Sequence, residues 1–409
     1  MSTPEHVIIA GGGLAGAKTA EALREHGYRG ELTLVAGENH LPYERPPMSK
    51  DYLAGRSTFE DATVHPADWY AANDVTLLTG TRVTGVEAAA HEVRLDDGRS
   101  LGYDKLVLAT GSVPRRLPLP GADAEGVYML RTVDDSDAIK AVFGPGRRLV
   151  IIGGGWIGLE VAAAARAAGT QVTVVEALDL PLLGVLGPEA ATVFADLHRT
   201  NGVDLRLGAR LSAITTDGGA ATGVELEGGE TIPADAVVVG VGVAPDLALA
   251  ESAGLDIDNG VLVDASLRSS DPDIYAVGDI ANHEHPVLGC RVRVEHWANA
   301  LNQPAAAAAS LLGDDTAYTE LPYFFSDQYD LGMEYIGHAP RGAYDRVLTR
   351  GDLEEREFVA FWVDPDDRIL AAMNVNVWDV VDQIKPLIVE GRRVDPARLV
   401  DPTVPFGEL

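Results

Sequence analysis

Cysteine is almost absent from this sequence, since Cys290 is the only one in 409 residues. An intrachain disulfide, a Cys-x-x-Cys redox pair and a cysteine-ligated metal cluster are therefore excluded within one chain. A chain without disulfides fits a reducing compartment. The N-terminus leads almost directly into the apolar run His6–Ala10 and lacks the charged, apolar and cleavage regions of a signal peptide. We expect a cytoplasmic protein.

Basic residues are also scarce, with 32 Lys and Arg against 62 Asp and Glu and a net charge of −30. A field of that sign repels phosphate backbones and anionic lipid, which argues against nucleic acid or a membrane surface as a partner. No apolar stretch approaches the roughly 20 residues that span a bilayer. The length and the 46% apolar content predict a globular protein of about two to four domains.

Glycine is abundant, with 44 residues, and several of them fall into two copies of one pattern. In each copy a predicted strand leads into G-x-G-x-x-G, and a helix and a second strand follow, which is the order of a dinucleotide-binding fingerprint. The strand, motif, helix and second strand are predicted at 6–10, 11–16, 17–26 and 31–35 in the first copy, and at 148–152, 153–158, 159–168 and 171–175 in the second.

Each position of the motif has a physical reason to be glycine. The first glycine makes a tight turn, the second lets the backbone approach a pyrophosphate, and the third lets helix and strand pack closely. The diphosphate then lies on unpaired N–H groups at the positive end of the helix. One such motif in a glycine-rich chain is also compatible with an ordinary turn. Two in full context predict two bound dinucleotides.

An acid after the second strand of each copy is the expected partner of an adenosine ribose. Glu176 holds this position in the second copy, and no Lys or Arg lies between Glu176 and Glu189. A carboxylate there accepts from ribose hydroxyls and repels a 2′-phosphate, so we predict NAD rather than NADP. In the first copy the nearest acid is Glu38, displaced by Gly37. Glu38 is either a ribose ligand or a solvated loop acid.

The first dinucleotide domain is predicted to be split by the second. Residues 41–50 contain three prolines, which predict an extended path without helix that carries Arg45 and Lys50 across a bound cofactor. A strand ending at Thr110 and Gly111 follows, then the second copy, then a valine-rich strand at 236–243.

The tail predicts strands at 357–363 and 369–377 and a helix at 378–390. The predicted domains are 1–111 with 241–315, 112–240 inserted between them, and a C-terminal α+β domain at 316–409.

Several motifs together resemble the NADH-dependent ferredoxin reductases of the putidaredoxin-reductase type. They occur in the order Gly-Gly-Gly-Leu-Ala-Gly, Arg-Pro-Pro-Met-Ser-Lys, Leu-Ala-Thr-Gly, Gly-Gly-Gly-x-Ile-Gly-x-Glu, Ala-Val-Gly-Asp and Pro-Tyr-Phe-Phe-Ser-Asp-Gln-Tyr-Asp, and the resemblance covers essentially the whole chain. It implies an α/β fold of two Rossmann-like dinucleotide-binding domains (glutathione-reductase-like) plus a small C-terminal α+β domain. It also implies FAD on the first copy and NAD(H) on the second.

The resemblance implies roles for matched residues. Asp279 accepts from the ribityl hydroxyls of FAD or caps a helix. Lys50 lies near flavin N5 and pairs with Glu160, which faces the nicotinamide; alternatively they are a surface lysine and a first-turn acid. The helix after His296, kinked or restarted at Pro304, points at the pyrimidine side of the flavin. The predicted catalytic residues are Lys50 and Glu160, and the predicted cofactor-binding residues are Gly11, Gly13, Leu14, Ala15, Gly16, Glu38, Arg45, Lys50, Thr110, Gly111, Gly278, Asp279, Glu295, His296, Trp297, Phe325, Gly153, Gly155, Trp156, Ile157, Gly158, Glu160, Glu176 and Gly242.

The sequence departs from the family pattern at several positions. Phe325 stands where the family usually has Trp, and Leu180 and Gly184 stand where arginines are common. We expect stacking beside the flavin to survive and contacts on the adenine side to be lost. Trp156 occupies a variable position of the second motif, where it is either a gate over the flavin or a hydrophobic cap.

Electrons are expected to leave the flavin directly to an outside acceptor, because the chain lacks the cysteine pair that disulfide reductases use. The resemblance implies hydride transfer from NADH to FAD and then electron transfer to a [2Fe–2S] ferredoxin, which supplies a monooxygenase or dioxygenase. The alternatives are a rubredoxin reductase, an oxygen-reducing NADH oxidase, and a flavoprotein similar to apoptosis-inducing factor that NADH switches. We expect a monomer or a weak dimer.

Two sequence clusters have candidate roles outside the cofactor sites. Arg291 with Arg293, and Arg115 with Arg116, are basic spots where an acidic ferredoxin docks, or solvated faces. Three histidines lie close together in sequence but lack acidic co-ligands at recognisable spacing, so no metal site is expected. They are His283, His285 and His296.

Overall fold

The computed structural model describes residues 3–314 and 316–409. The chain forms two compact units. Unit 1 comprises Met1–Arg45, Phe59–Val113 and Ala244–Tyr323, and unit 2 comprises Pro46–Thr58, Pro114–Val243 and Phe324–Leu409. The three-domain division stays a prediction, and its boundary at residue 315 lies outside the described residues.

Unit 1 is built on a five-stranded parallel sheet. Its apolar runs are buried on both faces, as strands of a parallel sheet are, and Ala10 lies beside Val35 and Leu108 in register. The carboxyl ends of the three central strands therefore meet at one edge. The order across the sheet is Ile274–Ala276, Lys105–Leu108, His6–Ala10, Glu31–Ala36 and Val75–Thr79.

Two three-stranded sheets and four helices complete unit 1. The helix Trp297–Leu311 packs against the helix Leu14–Glu25, and both are rich in alanine, which permits a close approach. The remaining helices are Ala67–Ala72 and Ala248–Ser252, with 3₁₀ turns at Glu60–Ala62, Ala88–Ala90 and Gly278–Ile280. The small sheets contain Val83–Glu87, Glu92–Leu95 and Ser100–Gly102, and Val261–Val263, Ala281–His285 and Cys290–Val292.

Unit 2 repeats the parallel sheet. The order across it is Asp204–Arg206, Gln171–Val175, Arg148–Ile152, Ala236–Val239 and Val127–Tyr128. An antiparallel sheet of Leu211–Asp217, Ala220–Leu226 and Thr231–Pro233 accompanies it. The short strands Ser112–Pro114 and Val243–Pro245 lie where the chain passes from one unit to the other.

The C-terminal part of unit 2 is a five-stranded sheet with buried aromatic residues on both of its faces. Phe358, Phe361 and Trp362 are completely buried. The order across the sheet is Tyr323–Gln328, Leu331–Gly337, Ile369–Val375, Glu357–Val363 and Arg346–Asp352. The helices of unit 2 are Val133–Lys140, Trp156–Ala167, Leu183–Leu186, Pro188–Thr200, Val381–Glu390 and Pro396–Leu399, with 3₁₀ turns at Pro46–Ser49 and Phe406–Glu408.

The two motif helices begin earlier than the sequence predicted. They start at Leu14 and Trp156, inside the glycine motifs, instead of at residues 17 and 159. Gly13 and Gly155 serve as their N-cap residues, and no side chain caps either helix. The first N–H groups of both helices are therefore left for a ligand.

Several other predictions about local structure were wrong. Residues 46–49 form a 3₁₀ turn where an extended path was predicted. Proline is compatible with the first turn of a helix, because the N–H groups of that turn have no partner within the helix and the missing N–H of proline is not needed. The valine-rich strand ends at Val239, before Gly240, and the last predicted helix begins at Val381 instead of Trp378. Of the two alternatives at Pro304, the restart is wrong, because one helix, Trp297–Leu311, runs through this residue, and the kink stays a prediction.

None of the helices in the described ranges, 3–314 and 316–409, is long and apolar enough to cross a lipid bilayer.

Candidate active site

The glycines of the first motif have different roles, as the dinucleotide-binding fingerprint requires: two permit tight packing and one borders open space. A Cβ on Gly11 would fall on the backbone carbonyl of Ala109, and one on Gly16 would fall on the carbonyl of Gly11. Gly11 also has φ +125°, which only glycine adopts without strain. Around Gly13, by contrast, none of the described residues places a heavy atom within 4 Å of an added Cβ. The motif therefore folds tightly at both ends and leaves open space at Gly13.

The wall beside this opening comes from two other strand ends of unit 1. Thr110 donates from Oγ1 to the carbonyl of Asp246 at 2.8 Å, and the N–H of Asp246 donates to the carbonyl of Gly111 at 2.9 Å. Gly278 has φ +77°, and a Cβ there would lie 3.2 Å from Ala15. Asp279, the next residue, therefore lies near the first turn of the motif helix.

Sequence reasoning missed two buried amides on the helix Trp297–Leu311. The N–H of Gly278 donates to Oε1 of Gln303 at 2.7 Å. Asn299 is 1% exposed, and neither polar atom of its side chain has a hydrogen-bond partner in the described part of the chain. The residues of unit 1 fit FAD: an open glycine edge at a helix N-terminus receives a diphosphate, and an orphaned buried amide needs a polar partner.

Several of the other predicted FAD residues of unit 1 form hydrogen bonds with neighbouring side chains. Both oxygens of Glu38 accept hydrogen bonds, from Tyr43 at 2.6 Å and from Arg45 at 2.7 Å. Trp297 donates from its indole to Glu44 at 2.7 Å. Arg45 is thus held at Glu38, and a ribose role for Glu38 stays a prediction. The remaining predicted residues lie at two helix N-termini, Leu14 and Ala15 at one and Glu295 and His296 at the other.

The second motif repeats the geometry of the first. Gly153 has φ +103° and packs on the carbonyl of Gly240, and Gly158 packs on the carbonyl of Gly153. Gly155 has no heavy atom within 4 Å of an added Cβ. The second motif is therefore an independent copy of the same phosphate-binding cradle.

A cavity of about 490 Å³ opens at this cradle within unit 2, a size typical of a small-molecule site. Glu176 accepts at its two oxygens from the N–H groups of Gly154 at 2.6 Å and Leu178 at 2.8 Å. The cavity is lined by Gly153, Gly155, Glu176, Arg210, Glu227 and Gly242, among others. The residues of this cavity fit the adenosine half of a nicotinamide dinucleotide.

Arg210 is a cavity residue that the sequence prediction overlooked. Arg210 does not belong to the segment after Glu176, where the fingerprint places a cation; it enters the cavity from the loop before the strand Leu211–Asp217. The N–H of Ala209 donates to the carbonyl of Glu176 at 3.0 Å, and this bond brings the two segments together. A cation therefore stands on the adenosine side despite the missing arginines at Leu180 and Gly184.

Changing Glu176 to Gln tests the predicted choice between NADH and NADPH. Removing the carboxylate charge relieves repulsion of a 2′-phosphate, so we expect the ratio of NADPH to NADH affinity to rise about 10-fold, or roughly 1.4 kcal/mol. The affinities are measured by titrating the oxidised protein with each nucleotide. Glu227→Gln, which removes the other carboxylate of the cavity, is the control. An unchanged ratio in Glu176→Gln contradicts the prediction.

Lys50 and Glu160 form a buried ion pair inside unit 2. Lys50 Nζ donates to Glu160 Oε1 at 2.7 Å, and the two side chains are only 11% and 4% exposed. Oε1 also accepts from Ser326 at 2.7 Å, and Oε2 accepts from Ser49 at 2.5 Å. Lys50 lies 5.3 Å from the ring of Phe325. The predicted pair is brought together, and Glu160 is buried in its helix and not an exposed first-turn acid.

Trp156 packs into an aromatic cluster of unit 2. Its ring meets Phe194 and Phe324 at 5.3 Å each, which are contacts expected of a hydrophobic cap, and the choice between cap and gate stays a prediction. Ile157, the next predicted residue, is 39% exposed beside it.

Most arginines of the two basic spots predicted for docking form hydrogen bonds or ion pairs within the chain. Arg291 donates to the carbonyls of Val263 and Asn282. Arg293 donates to the carbonyl of Asp279 and pairs with Glu295 at 2.6 Å. In the other spot Arg116 pairs with Asp123 at 2.9 Å at an exposed site. Arg291 and Arg293 thus support the fold of unit 1.

The clustered histidines have structural partners. His283 and His285 are completely buried; His283 Nδ1 lies 3.0 Å from the carbonyl of Val292, and His285 Nε2 lies 3.0 Å from that of Glu320. Within residues 3–314 and 316–409 no group of three or more His, Cys, Asp or Glu side chains is arranged to hold a metal ion.

His198, which the sequence analysis overlooked, makes the stability of the protein depend on pH. Burial lowers the pKa of His198 to about 4 from 6.5. As the pH falls below 6.5, the imidazole of His198 takes up a proton in the unfolded chain but stays neutral in the folded protein. Folding stability is therefore lost progressively toward pH 4. We expect the stability advantage of the wild type over His198→Gln to shrink by about 2.5 kcal/mol between pH 7.5 and 4.5. Urea unfolding at both pH values measures it, and a constant difference contradicts it.

Comparison with known proteins agrees with this geometry. The pattern described as "Pyridine nucleotide-disulphide oxidoreductase" matches residues 5–304, and "Reductase C-terminal" matches residues 323–409. The ferredoxin–NAD(+) reductase component of the anthranilate 1,2-dioxygenase system of Burkholderia cepacia is 44% identical over 97% of both chains. Putidaredoxin reductase of Pseudomonas putida is 39% identical over 100% of this chain and 97% of its own.

A solved structure gives the same answer. The crystal structure of the covalent putidaredoxin reductase–putidaredoxin complex superposes with a TM-score of 0.95 at 38% identity, covering 100% of this chain and 98% of the other. The predicted α/β fold of two Rossmann-like domains with a C-terminal domain is confirmed. The chain belongs to the pyridine nucleotide-disulphide oxidoreductase family and, within it, to the ferredoxin–NAD reductases of the putidaredoxin-reductase type.

Proposed function

We propose that the protein is an NADH:ferredoxin oxidoreductase that contains FAD and reduces a [2Fe–2S] ferredoxin of an oxygenase system. The observation that carries the proposal is the pair of glycine cradles, one in each unit, with open space at Gly13 and at Gly155. Two cradles of one design hold two dinucleotides. Two relatives, named as ferredoxin–NAD(+) reductase components of dioxygenase systems, support a ferredoxin as the acceptor.

NADH enters at the second cradle. The N-terminus of the helix that starts at Trp156 would hold its diphosphate, and the cavity beside Glu176 and Arg210 would hold its adenosine. The carboxylate of Glu176 is held by two backbone N–H groups, so it accepts from the ribose without reorganising.

Lys50 and Glu160 are the proposed catalytic residues. Glu160 stands on the helix whose N-terminus forms the second cradle, and the pair is nearly excluded from water. A buried, preorganised charge acts more strongly on a developing charge than one in water. FAD, when bound, accepts the two electrons of NADH and passes them on singly, and the protein supplies position and electrostatics.

The electrons leave to a separate protein. Cys290 is the only cysteine in the chain, so an internal dithiol cannot store the electrons. The balance is one NADH and two oxidised ferredoxins giving NAD⁺, one proton and two reduced ferredoxins. We propose that the reaction takes place in the cytoplasm, as the lack of disulfides supports.

A two-stage mixing experiment tests the proposal. The purified protein is mixed with NADH or NADPH, and flavin bleaching at its visible band is followed; a panel of [2Fe–2S] ferredoxins, a rubredoxin and oxygen is then added. We expect bleaching by NADH, and rapid recovery with a ferredoxin. Recovery with rubredoxin or oxygen alone identifies a rubredoxin reductase or an oxidase. A long-lived reduced complex that no acceptor reoxidises identifies an NADH-controlled binding switch.

A further inference from the structure

A continuous line of polar groups, buried except for the partly exposed Tyr329 at its far end, runs through unit 2 and ends on the carboxylate of Glu160. Four side chains form it, from two separate elements of the unit: the helix Pro188–Thr200 and the strand Tyr323–Gln328 with the residue after it. The successive distances are 3.4 Å from Tyr329 OH to His198 Nδ1, 2.8 Å from His198 Nε2 to Gln328 Oε1, 3.1 Å from Gln328 Nε2 to Ser326 Oγ, and 2.7 Å from Ser326 Oγ to Glu160 Oε1.

The direction of every bond follows from the charge at the end. An ionised carboxylate only accepts, so the hydroxyl of Ser326 donates to Glu160. Ser326 has one proton and therefore accepts from the amide nitrogen of Gln328. The amide oxygen of Gln328 then faces His198 and needs a donor, which fixes the Nε2–H tautomer. His198 Nδ1 is left to accept from Tyr329.

Burial keeps this order in place. Ser326 and His198 are completely buried and Gln328 is 1% exposed, so water does not replace a lost partner. Reversing one bond leaves a buried donor facing a donor, with no water to take the place of the lost acceptor. Burial also lowers the pKa of His198, which keeps the ring neutral and able to accept at Nδ1.

We propose that Ser326, Gln328 and His198 are positioning residues that hold the Glu160 carboxylate, and through it Lys50, in one orientation for the hydride step. The proposal rests on the function proposed above. Oε1 of Glu160 receives both Lys50 and Ser326, whereas Oε2 receives Ser49. Rotation of the carboxylate would break all three contacts, and the aligned dipoles behind Ser326 oppose it.

Other charges face the pair from neighbouring segments. Asp327 is the nearest acid on the strand of Ser326, and burial raises its pKa, with Lys50 acting in the opposite direction. Asp51 and Arg56 act on Asp327 as well. These groups stay in place in the variants below, so a change in pH dependence reports on the hydrogen-bonded line.

The first test measures the hydrogen-bond order of the line in the resting protein, without catalytic turnover. Long-range ¹H–¹⁵N spectra of the FAD-bound protein identify the tautomer of the His198 ring. The signals of this ring are assigned because they disappear in His198→Gln. We expect one neutral Nε2–H tautomer at pH 6–8. In Ser326→Ala the amide of Gln328 is no longer oriented, and we expect a mixture of tautomers. A wild-type Nδ1–H tautomer overturns the proposal.

The second test is a double-mutant cycle of Ser326→Ala and His198→Leu, read by single-turnover flavin reduction with NADH. We expect Ser326→Ala to lower the limiting rate about 10-fold and His198→Leu about 3-fold, with a new loss of rate at the acid side of the pH profile. The double variant should match Ser326→Ala, because the line is already cut there. Multiplied effects, or a wild-type rate and profile in His198→Leu, overturn the proposal.

Two further variants separate positioning from folding. His198→Gln supplies an N–H near the place of Nε2 and should restore most of the rate and the pH profile. His285→Leu removes an equally buried histidine of unit 1 that hydrogen-bonds a backbone carbonyl, and it should lower the melting temperature without changing the profile. If the wild type itself is not reduced by NADH, the proposed function fails; if it is reduced and the cycle is additive, only the positioning role fails.

Discussion

A Gly13→Val variant should purify folded and colourless. Gly13 has φ −85° and ψ −170°, an extended conformation that valine adopts readily, and its Cβ position is open. The fold therefore tolerates the side chain, which then occupies the space where the cradle receives the FAD diphosphate. Blocking the N–H groups of the helix should lower FAD affinity at least about 100-fold. The visible spectrum and the circular dichroism of the purified protein measure the two halves of this expectation.

The same change in the second cradle should separate the two cofactors. Gly155 has φ −80° and ψ 177° and equally open space. Gly155→Val should therefore purify yellow, with FAD in place, but bleach with NADH at least about 100-fold more slowly at subsaturating NADH. A colourless Gly155→Val protein, or a yellow Gly13→Val protein, would show that the cradles had been assigned to the wrong cofactors.

Two other glycines provide the controls. Gly407 is exposed and also has open space for a Cβ, so Gly407→Val should bind FAD and react with NADH as the wild type does. Gly11→Ala places a Cβ on the carbonyl of Ala109 at φ +125°, and it should lower the melting temperature instead of merely removing the cofactor. The contrast between Gly11 and Gly13 distinguishes a folding glycine from a binding glycine in one motif.

The sequence predicted the parts of the fold that local pattern controls. Strands 6–10, 148–152 and 171–175 were placed to the residue, because each is a short apolar run bounded by glycine or charge. The motif helices were placed three residues late. A glycine-containing stretch has poor helix propensity, yet in both motifs tertiary packing of the glycines lets the helix begin directly after the N-cap glycine.

The residues that sequence reasoning missed act through distant partners. Ser326 and Gln328 lie in a motif that gives them no role of their own, and His198 lies on an amphipathic helix without any local signal. Their link to Glu160 spans sequence separations of 130 and 166 residues, which a single sequence without an alignment does not reveal. Arg210 was missed for the same reason, since the strand that follows it belongs to a separate sheet.

The Lys50–Glu160 pair is expected to matter for both stability and rate. Lys50→Met keeps most of the apolar stem but leaves a carboxylate that is 4% exposed without its cation. Breaking a buried pair from one side costs about 3 kcal/mol, and loss of a preorganised charge slows hydride transfer about 100-fold. Denaturant unfolding of the FAD-bound protein and single-turnover reduction by NADH measure the two effects.

A neighbouring surface pair gives the matched control for Lys50→Met. Arg56 and Asp51 lie in the same segment, 2.7 Å apart, with side chains 63% and 61% exposed. Arg56→Met should change stability by no more than about 0.5 kcal/mol and leave the rate unchanged, because solvent screens an exposed pair. The double variant Lys50→Met with Glu160→Gln should recover most of the stability, since no buried charge remains uncompensated, but none of the rate. If it recovers the rate as well, the pair serves folding alone and the hydride step depends on other groups.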